Sequence, residues 1–273
     1  MLTIFLGALV GLSLGLTGGG GSLFAVPLLI YVLGVQPHLA TTISLAAVAS
    51  MAAFGAIEAS INKMVEWRAS LIFVIGGITC APFGVKIAGL LSENIIITCF
   101  AILMLIIAAL MWYRATKQPA DAAIVRVNYI DDDDENNGAI CKYNDDQIIK
   151  LSAPCSVILV ISGGITGVLS GLFGVGGGFL IVPALTFITQ LNIHRAVASS
   201  LLVISLIGLS GVSAAVYQGR LITLDITGLF ILGGLVGMII GRLTAKRIPS
   251  TLLQKVFSLF ILITATAMLI IKT

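Results

Sequence analysis

Apolar residues fill long runs of this chain and polar residues gather in the gaps between them. Eight blocks stand out, at about 2–34, 38–61, 68–91 and 94–113, then at about 155–190, 194–217, 224–245 and 250–271. A bilayer core about 30 Å thick takes roughly 20 apolar residues of helix, so the blocks predict an all-α polytopic membrane protein. The first block of each half is too long for one straight span. It is also broken, by Gly18-Gly19-Gly20-Gly21 in the first half and by Gly174-Val175-Gly176-Gly177-Gly178 in the second. A proline follows each run at the same spacing, Pro27 and Pro183. Glycine is a poor helix former, and proline inside a helix removes an N–H and collides with the carbonyl four residues earlier. A helix break is therefore predicted in each half, with new half-helices starting near Ser22 and Gly178.

The two halves repeat each other. A shift of 156 residues pairs Gly15 with Gly171, Gly18 with Gly174, Pro27 with Pro183, His38 with His194, Ala40 with Ala196 and Ser44 with Ser200. After a one-residue slip, Gly76-Gly77 pairs with Gly233-Gly234, Gly84 with Gly241 and Phe100 with Phe257. This is an internal duplication. It divides the chain into a first transmembrane repeat at 1–113, a hydrophilic linker at 114–150 and a second repeat at 151–273.

The broken block either crosses once, which gives parallel repeats, or folds back as a hairpin, which inverts the second repeat. Loop charge separates these. With single crossings the Lys and Arg residues divide nine to six between the two sides, and with hairpins twelve to three, only Lys86, Arg220 and Lys272 falling on the poorer side. Basic residues gather on the cytoplasmic side. Leaving out Arg126 and Lys142, which are distant from any span, the division is still ten to three. The expectation is therefore a pair of inverted repeats in the cell membrane, with a cytoplasmic linker and both termini outside.

Composition narrows the function. A chain that is 58% hydrophobic and 10% charged is an integral membrane protein, and its net charge of +3 gives no argument for nucleic acid. Residues 4–16 could pass for a secretory signal, but no Lys or Arg precedes Lys63 and the segment has its own counterpart at 157–172. The linker carries Asp131 to Asp134 with Glu135 and no apolar period, the pattern of a mobile, solvated surface segment. Cys80, Cys99, Cys141 and Cys155 lack metal or CxxC spacing, and they are expected to serve as packing residues.

No charged residue occurs from Met1 to Ile57 or from Leu151 to His194. Whatever binds at the breaks must meet backbone, Ser and Thr hydroxyls, or groups brought from other helices. Glycine-rich turns expose successive N–H groups, and the start of a half-helix adds the positive end of its dipole, so the site favours an anion. The predicted substrate contacts are Gly18, Gly19, Gly20, Gly21 and Ser22 at the first break and Gly174, Gly176, Gly177 and Gly178 at the second. Hydroxyls complete the shell: the pairs Thr41/Thr42 and Ser199/Ser200, with Thr17 and Ser170 nearby. His38 and His194 are candidate proton relays for coupling. Lys86 and Arg242 either snorkel to the interface or add positive charge to the anion path. Spaced glycines such as Gly76, Gly77, Gly233 and Gly234 are read instead as helix-packing positions. No nucleophile–base pair or metal-ligand cluster stands within one span, so an enzyme is not expected.

Together these residues resemble the TauE/SafE family of sulfite and organosulfonate exporters. The likeness rests on Gly18 to Ser22 with Pro27, on Gly174 to Gly178 with Pro183, on Ala40 to Ser44 and Ala196 to Ser200, and on the segment from Gly241-Arg242 to Pro249. It covers everything but the linker. The resemblance implies a secondary transporter moving sulfite, sulfoacetate or related anions out of the cell, without a cofactor. The expected partners are a small anionic substrate and the lipid bilayer, with no nucleic acid; formation of a homo-oligomer is left open. An anion channel of the same architecture and a non-transporting scaffold are the alternatives.

Overall fold

The computed structural model describes residues 1–117, 142–143, 149–150, 153–189, 191, 193–219 and 224–245, together with 256, 258–259, 261–266 and 268. Five helices make up the first repeat: α1 (Leu2–Thr17), α2 (Ser22–Tyr31), α3 (Pro37–Ile61), α4 (Trp67–Leu90) and α5 (Glu93–Lys117). A two-residue antiparallel ladder, β1 (Lys142–Tyr143) with β2 (Ile149–Lys150), lies in the linker region. The second repeat follows with α6 (Ala153–Phe173), α7 (Gly178–Thr189), α8 (Ile193–Tyr217) and α9 (Leu224–Ala245). The acidic run Asp131 to Glu135 lies outside the described residues, as do 144–148 and the rest of 118–141, while 114–117 continue helix α5.

The predicted breaks are where the helices stop. Helix α1 ends at Gly18, whose φ of 71° is left-handed and whose N–H donates to the Leu14 carbonyl at 2.7 Å. That is a glycine C-cap, which a side chain would resist. Helices α2 and α7 begin at Ser22 and Gly178, as the sequence predicts, and carry Pro27 and Pro183 inside them. At ten residues, α2 is about 15 Å long, half of a bilayer core. Six described helices, α3, α4, α5, α6, α8 and α9, are long and apolar enough to cross a membrane.

Contacts between the repeats set the directions of these helices. Gly7, Gly11 and Gly15 of α1 lie against Phe230, Gly234 and Met238 of α9, so the two run parallel. The equivalent trio, Gly163, Gly167 and Gly171 of α6, lies against Phe73, Gly77 and Ala81 of α4 in the same way. Glycines four apart form one stripe on a helix and let backbones touch. The equivalent helices α3 and α8 instead run antiparallel, with Leu45 near Gly211, Ala49 near Gly208 and Gly55 near Leu201. Helix α9 runs parallel to α3, bringing Gly234 to Met51 and Gly55 to Met238. Hence α1 and α3 point the same way, and the glycine turn with α2 must carry the chain back between them. Equivalent helices that oppose each other require a pseudo-twofold axis across the bundle. Among the described residues the equivalent helices of the two repeats therefore oppose each other, and each first block folds back on itself.

One sequence expectation is corrected. Cys155 is disulfide-bonded, with its partner outside the described residues, whereas Cys80 and Cys99 are free. It sits in the first turn of α6, where the chain returns from the linker. A thiol there meets chain that hydropathy patterning cannot pair with it.

Candidate functional site

The two glycine turns meet. A methyl on Gly19 would lie 2.4 Å from the Gly178 carbonyl oxygen, so backbone touches backbone. Each turn also packs on the long helix of the other repeat: Gly174 on the Thr41 backbone of α3, and Gly18 on Val197 of α8, positions that the repeat makes equivalent. Gly176 faces both Val48 and Ile204, again an equivalent pair, near the middle of α3 and α8. The second turn thus lies close to the pseudo-twofold axis, at mid-length of the two helices that cross there.

Backbone donors are left over in both turns. Among the described residues the N–H groups of Gly19, Gly20 and Gly21 have no backbone acceptor, nor do those of Val175, Gly176 and Gly177. In the second turn, left-handed φ values at Gly174 (70°), Gly176 (70°) and Gly177 (66°) surround Val175, which is not left-handed. Alternating backbone hands of this kind turn successive N–H groups towards one concavity.

Most hydroxyls that the sequence placed at the site are occupied within the protein. Ser22 donates to the Gly19 carbonyl at 2.7 Å and Thr17 to that of Ser13 at 2.8 Å. Thr41 and Thr42 both donate to the His38 carbonyl, at 2.8 and 3.0 Å. Ser199 accepts the Glu66 N–H at 2.9 Å, tying α8 to the start of α4. Ser200 reaches across the repeats to the Gly18 carbonyl at 2.9 Å, and is also within donating distance of Val197. Among the described residues two fully buried hydroxyls have no partner: Ser170, near the second turn, and Ser44 on α3. Ser44 was not singled out as a site residue. Its pairing with Ser200 in the duplication was the available signal.

Of the charged candidates, Arg242 pairs with Glu58 and donates to the Gly55 carbonyl at 3.3 Å, clamping α9 to α3. Its backbone N lies beside Gly15, near the end of α1. Lys86 is exposed on α4 and His38 half-buried at the start of α3. The side chain of His194 lies outside the described residues. Gly76, Gly77, Gly233 and Gly234 all sit in helix contacts too close for a methyl, as the packing reading expects.

The family described as sulfite exporter TauE/SafE matches residues 3–268 of the chain. A probable membrane transporter protein of Xylella fastidiosa (strain 9a5c) is 34% identical over 270 residues, covering 97% of this chain and 93% of the relative. The probable membrane transporter protein YunE of Bacillus subtilis (strain 168) is 27% identical over 229 residues, covering 81% and 79%. One from Haemophilus influenzae is 26% identical over 291 residues, covering 98% and 97%. No solved structure matches.

Proposed function

The chain belongs to the sulfite exporter TauE/SafE family, and from that premise we propose that it carries small sulfur-containing anions out of the cell by alternating access. It is a membrane transporter with several transmembrane helices. Sulfite, sulfoacetate and related organosulfonates or carboxylates are the proposed cargo. The observation that supports this most is the meeting of two glycine turns, each with three unpaired N–H groups, at mid-length of the crossing helices. Within a bilayer, unsatisfied backbone donors are costly unless a ligand or water meets them. Discontinuous helices at the interface of inverted repeats are a common transporter site, and their N-terminal ends favour anions.

Rocking one repeat against the other would open the turns to each side in succession. A permanent pore fits less well, because Gly19 and Gly178 are packed backbone to backbone. Coupling would run through protons or the membrane potential, with His38 as a candidate relay.

For orientation, we place Lys63, Arg68 and Arg242 on the cytoplasmic side and the termini outside. Helix directions put these three residues at one end of the bundle, since α9 runs parallel to α3. The disulfide at Cys155 argues the other way, because the cytosol keeps thiols reduced. The charge bias carries more weight: it is spread over several loops, and it acts during insertion, whereas one bond can form later on oxidation.

Flux into proteoliposomes tests the proposal. Sulfite uptake should saturate, and sulfite on the opposite side should accelerate it. Flux that stays linear and unaccelerated would indicate a channel, and no anion flux in folded, reconstituted protein would refute the reading.

A further inference from the structure

We infer that the second glycine turn, and not the first, seats the anion through the hydroxyls of Ser44 and Ser170, and that the seat takes a compact, singly charged oxyanion. This rests on the anion-transport reading above and adds which turn, which side chains and which charge state.

The two turns are related by the repeat but differ in what they leave unpaired. At the first, Ser200 satisfies the Gly18 carbonyl, Ser22 donates to Gly19, and Ser13 donates to Val10 at 2.7 Å. The position equivalent to Ser170 is Leu14. The hydroxyls at that turn are therefore occupied within the protein, although its Gly19, Gly20 and Gly21 N–H groups are as free as those of the second. At the second, Ser44 is the equivalent of Ser200, yet its hydroxyl reaches no acceptor, and Ser170 reaches none either. Their exposures are 0% and 1%.

Ser170 lies one helical turn before Gly174, and Ser44 one turn along α3 from Thr41, on which Gly174 packs. The Gly174 N–H donates to the Ser170 carbonyl at 2.9 Å, and Gly174 packs on the backbone of Thr41, three residues before Ser44. The Ser170 Cβ lies 3.5 Å from where a methyl on Gly177 would be, so this side chain faces the turn. The free N–H groups of Val175, Gly176 and Gly177 belong to the same loop.

Every unpaired group here can donate: the three N–H groups only donate, and the two serine hydroxyls donate while keeping lone pairs, so five donors converge on a site that suits an acceptor with several lone pairs. A single water molecule has two lone pairs and can meet only two of these donors, whereas the oxygens of an oxyanion accept from several at once. No Lys or Arg occurs between Leu151 and His194, so the seat brings no countercharge from its own segment. Desolvation cost rises with the square of the charge, so a dianion loses about four times as much as a monoanion on entry. Neutral donors compensate the smaller loss more readily.

The test is thermal stabilisation of the full chain in detergent by sodium methanesulfonate and by sodium sulfate at equal ionic strength. Ligand that binds the folded state raises its stability by mass action. Wild-type protein should respond to methanesulfonate at concentrations about tenfold below those needed for sulfate. Ser44→Ala and Ser170→Ala should melt, without ligand, at or above the wild-type temperature, because each removes a buried group that has no partner. Each should also weaken the methanesulfonate response about tenfold. Ser44→Cys, which nearly preserves volume but donates weakly, should show the same loss if the alanine variant proves hard to purify.

A variant that melts lower without ligand and keeps the full anion response would mean an ordered water or packing role only, and would overturn the inference. So would a Ser200→Ala protein that loses the response while Ser44→Ala retains it, or a wild type that prefers sulfate. If no anion stabilises folded wild-type protein, the anion-transport reading itself falls, a result distinct from a response that survives both alanine substitutions.

Discussion

Gly11→Ala and Gly228→Ala make the same chemical change in opposite surroundings. Each adds a methyl inside a helix, where alanine is favoured over glycine by about 1 kcal/mol. Around Gly228 nothing lies within 4 Å, so that gain should be realised. At Gly11 the methyl would sit 1.8 Å from the Gly234 carbonyl oxygen and 2.6 Å from its carbon, where ordinary contact begins at 3.4 Å. The obstacle is backbone, which cannot rotate aside. Helices α1 and α9 would have to part by about 1 Å, and a gap of that size forfeits roughly a quarter to a half of each dispersion contact along the seam. Overpacking of this kind costs about 1–3 kcal/mol. Set against the propensity gain, Gly11→Ala should lose about 0–2 kcal/mol while Gly228→Ala gains up to about 1. For a chain of this size, 1 kcal/mol moves Tm by about 2–4 °C, so variants about 1–3 kcal/mol apart should differ by about 2–12 °C. Thermal unfolding in detergent, followed by fluorescence-detected size exclusion, measures that gap. A Gly11→Ala protein melting at or above Gly228→Ala would refute the parallel, backbone-close packing of α1 on α9.

Gly174→Ala should be worse than Gly20→Ala in the same assay. Gly174 is left-handed and its methyl would lie 2.3 Å from the Thr41 carbonyl oxygen, whereas at Gly20 the nearest atom is a threonine hydroxyl at 3.1 Å; the left-handed strain alone is about 1–2 kcal/mol. Ser200→Ala leaves the Gly18 carbonyl without its cross-repeat donor, and should lower stability by about 1 kcal/mol or more by the same measurement. The Glu58–Arg242 pair has side chains 50% and 22% exposed, so a double-mutant cycle with glutamine at each position should give a coupling below about 1 kcal/mol. Denatured, unreduced protein should take two maleimide labels, at Cys80 and Cys99, and four after reduction, as mass spectrometry would read.

What the sequence determined by itself is whatever depends on short stretches of chain. Length and hydropathy mark the spans, glycine runs followed by Pro27 and Pro183 mark the breaks, and the 156-residue offset marks the duplication. Helix starts at Ser22 and Gly178 follow from local backbone preferences and were legible to the residue. Loop charge even indicated a hairpin in each first block, although only through the asymmetry that insertion leaves in the loops. The tertiary structure alone decided which surfaces meet. That α1 lies on α9 and α6 on α4, and that Gly19 touches Gly178, are non-local facts, set by the shapes of glycine-lined faces brought together from distant parts of the chain. The hydroxyls show the difference most clearly. Ser44 and Ser200 are the same residue at equivalent positions, and nothing local separates them, yet one finds the Gly18 carbonyl across the repeat boundary and the other finds no partner. Whether a buried polar group is satisfied depends on what faces it, and only packing between the two repeats supplies that.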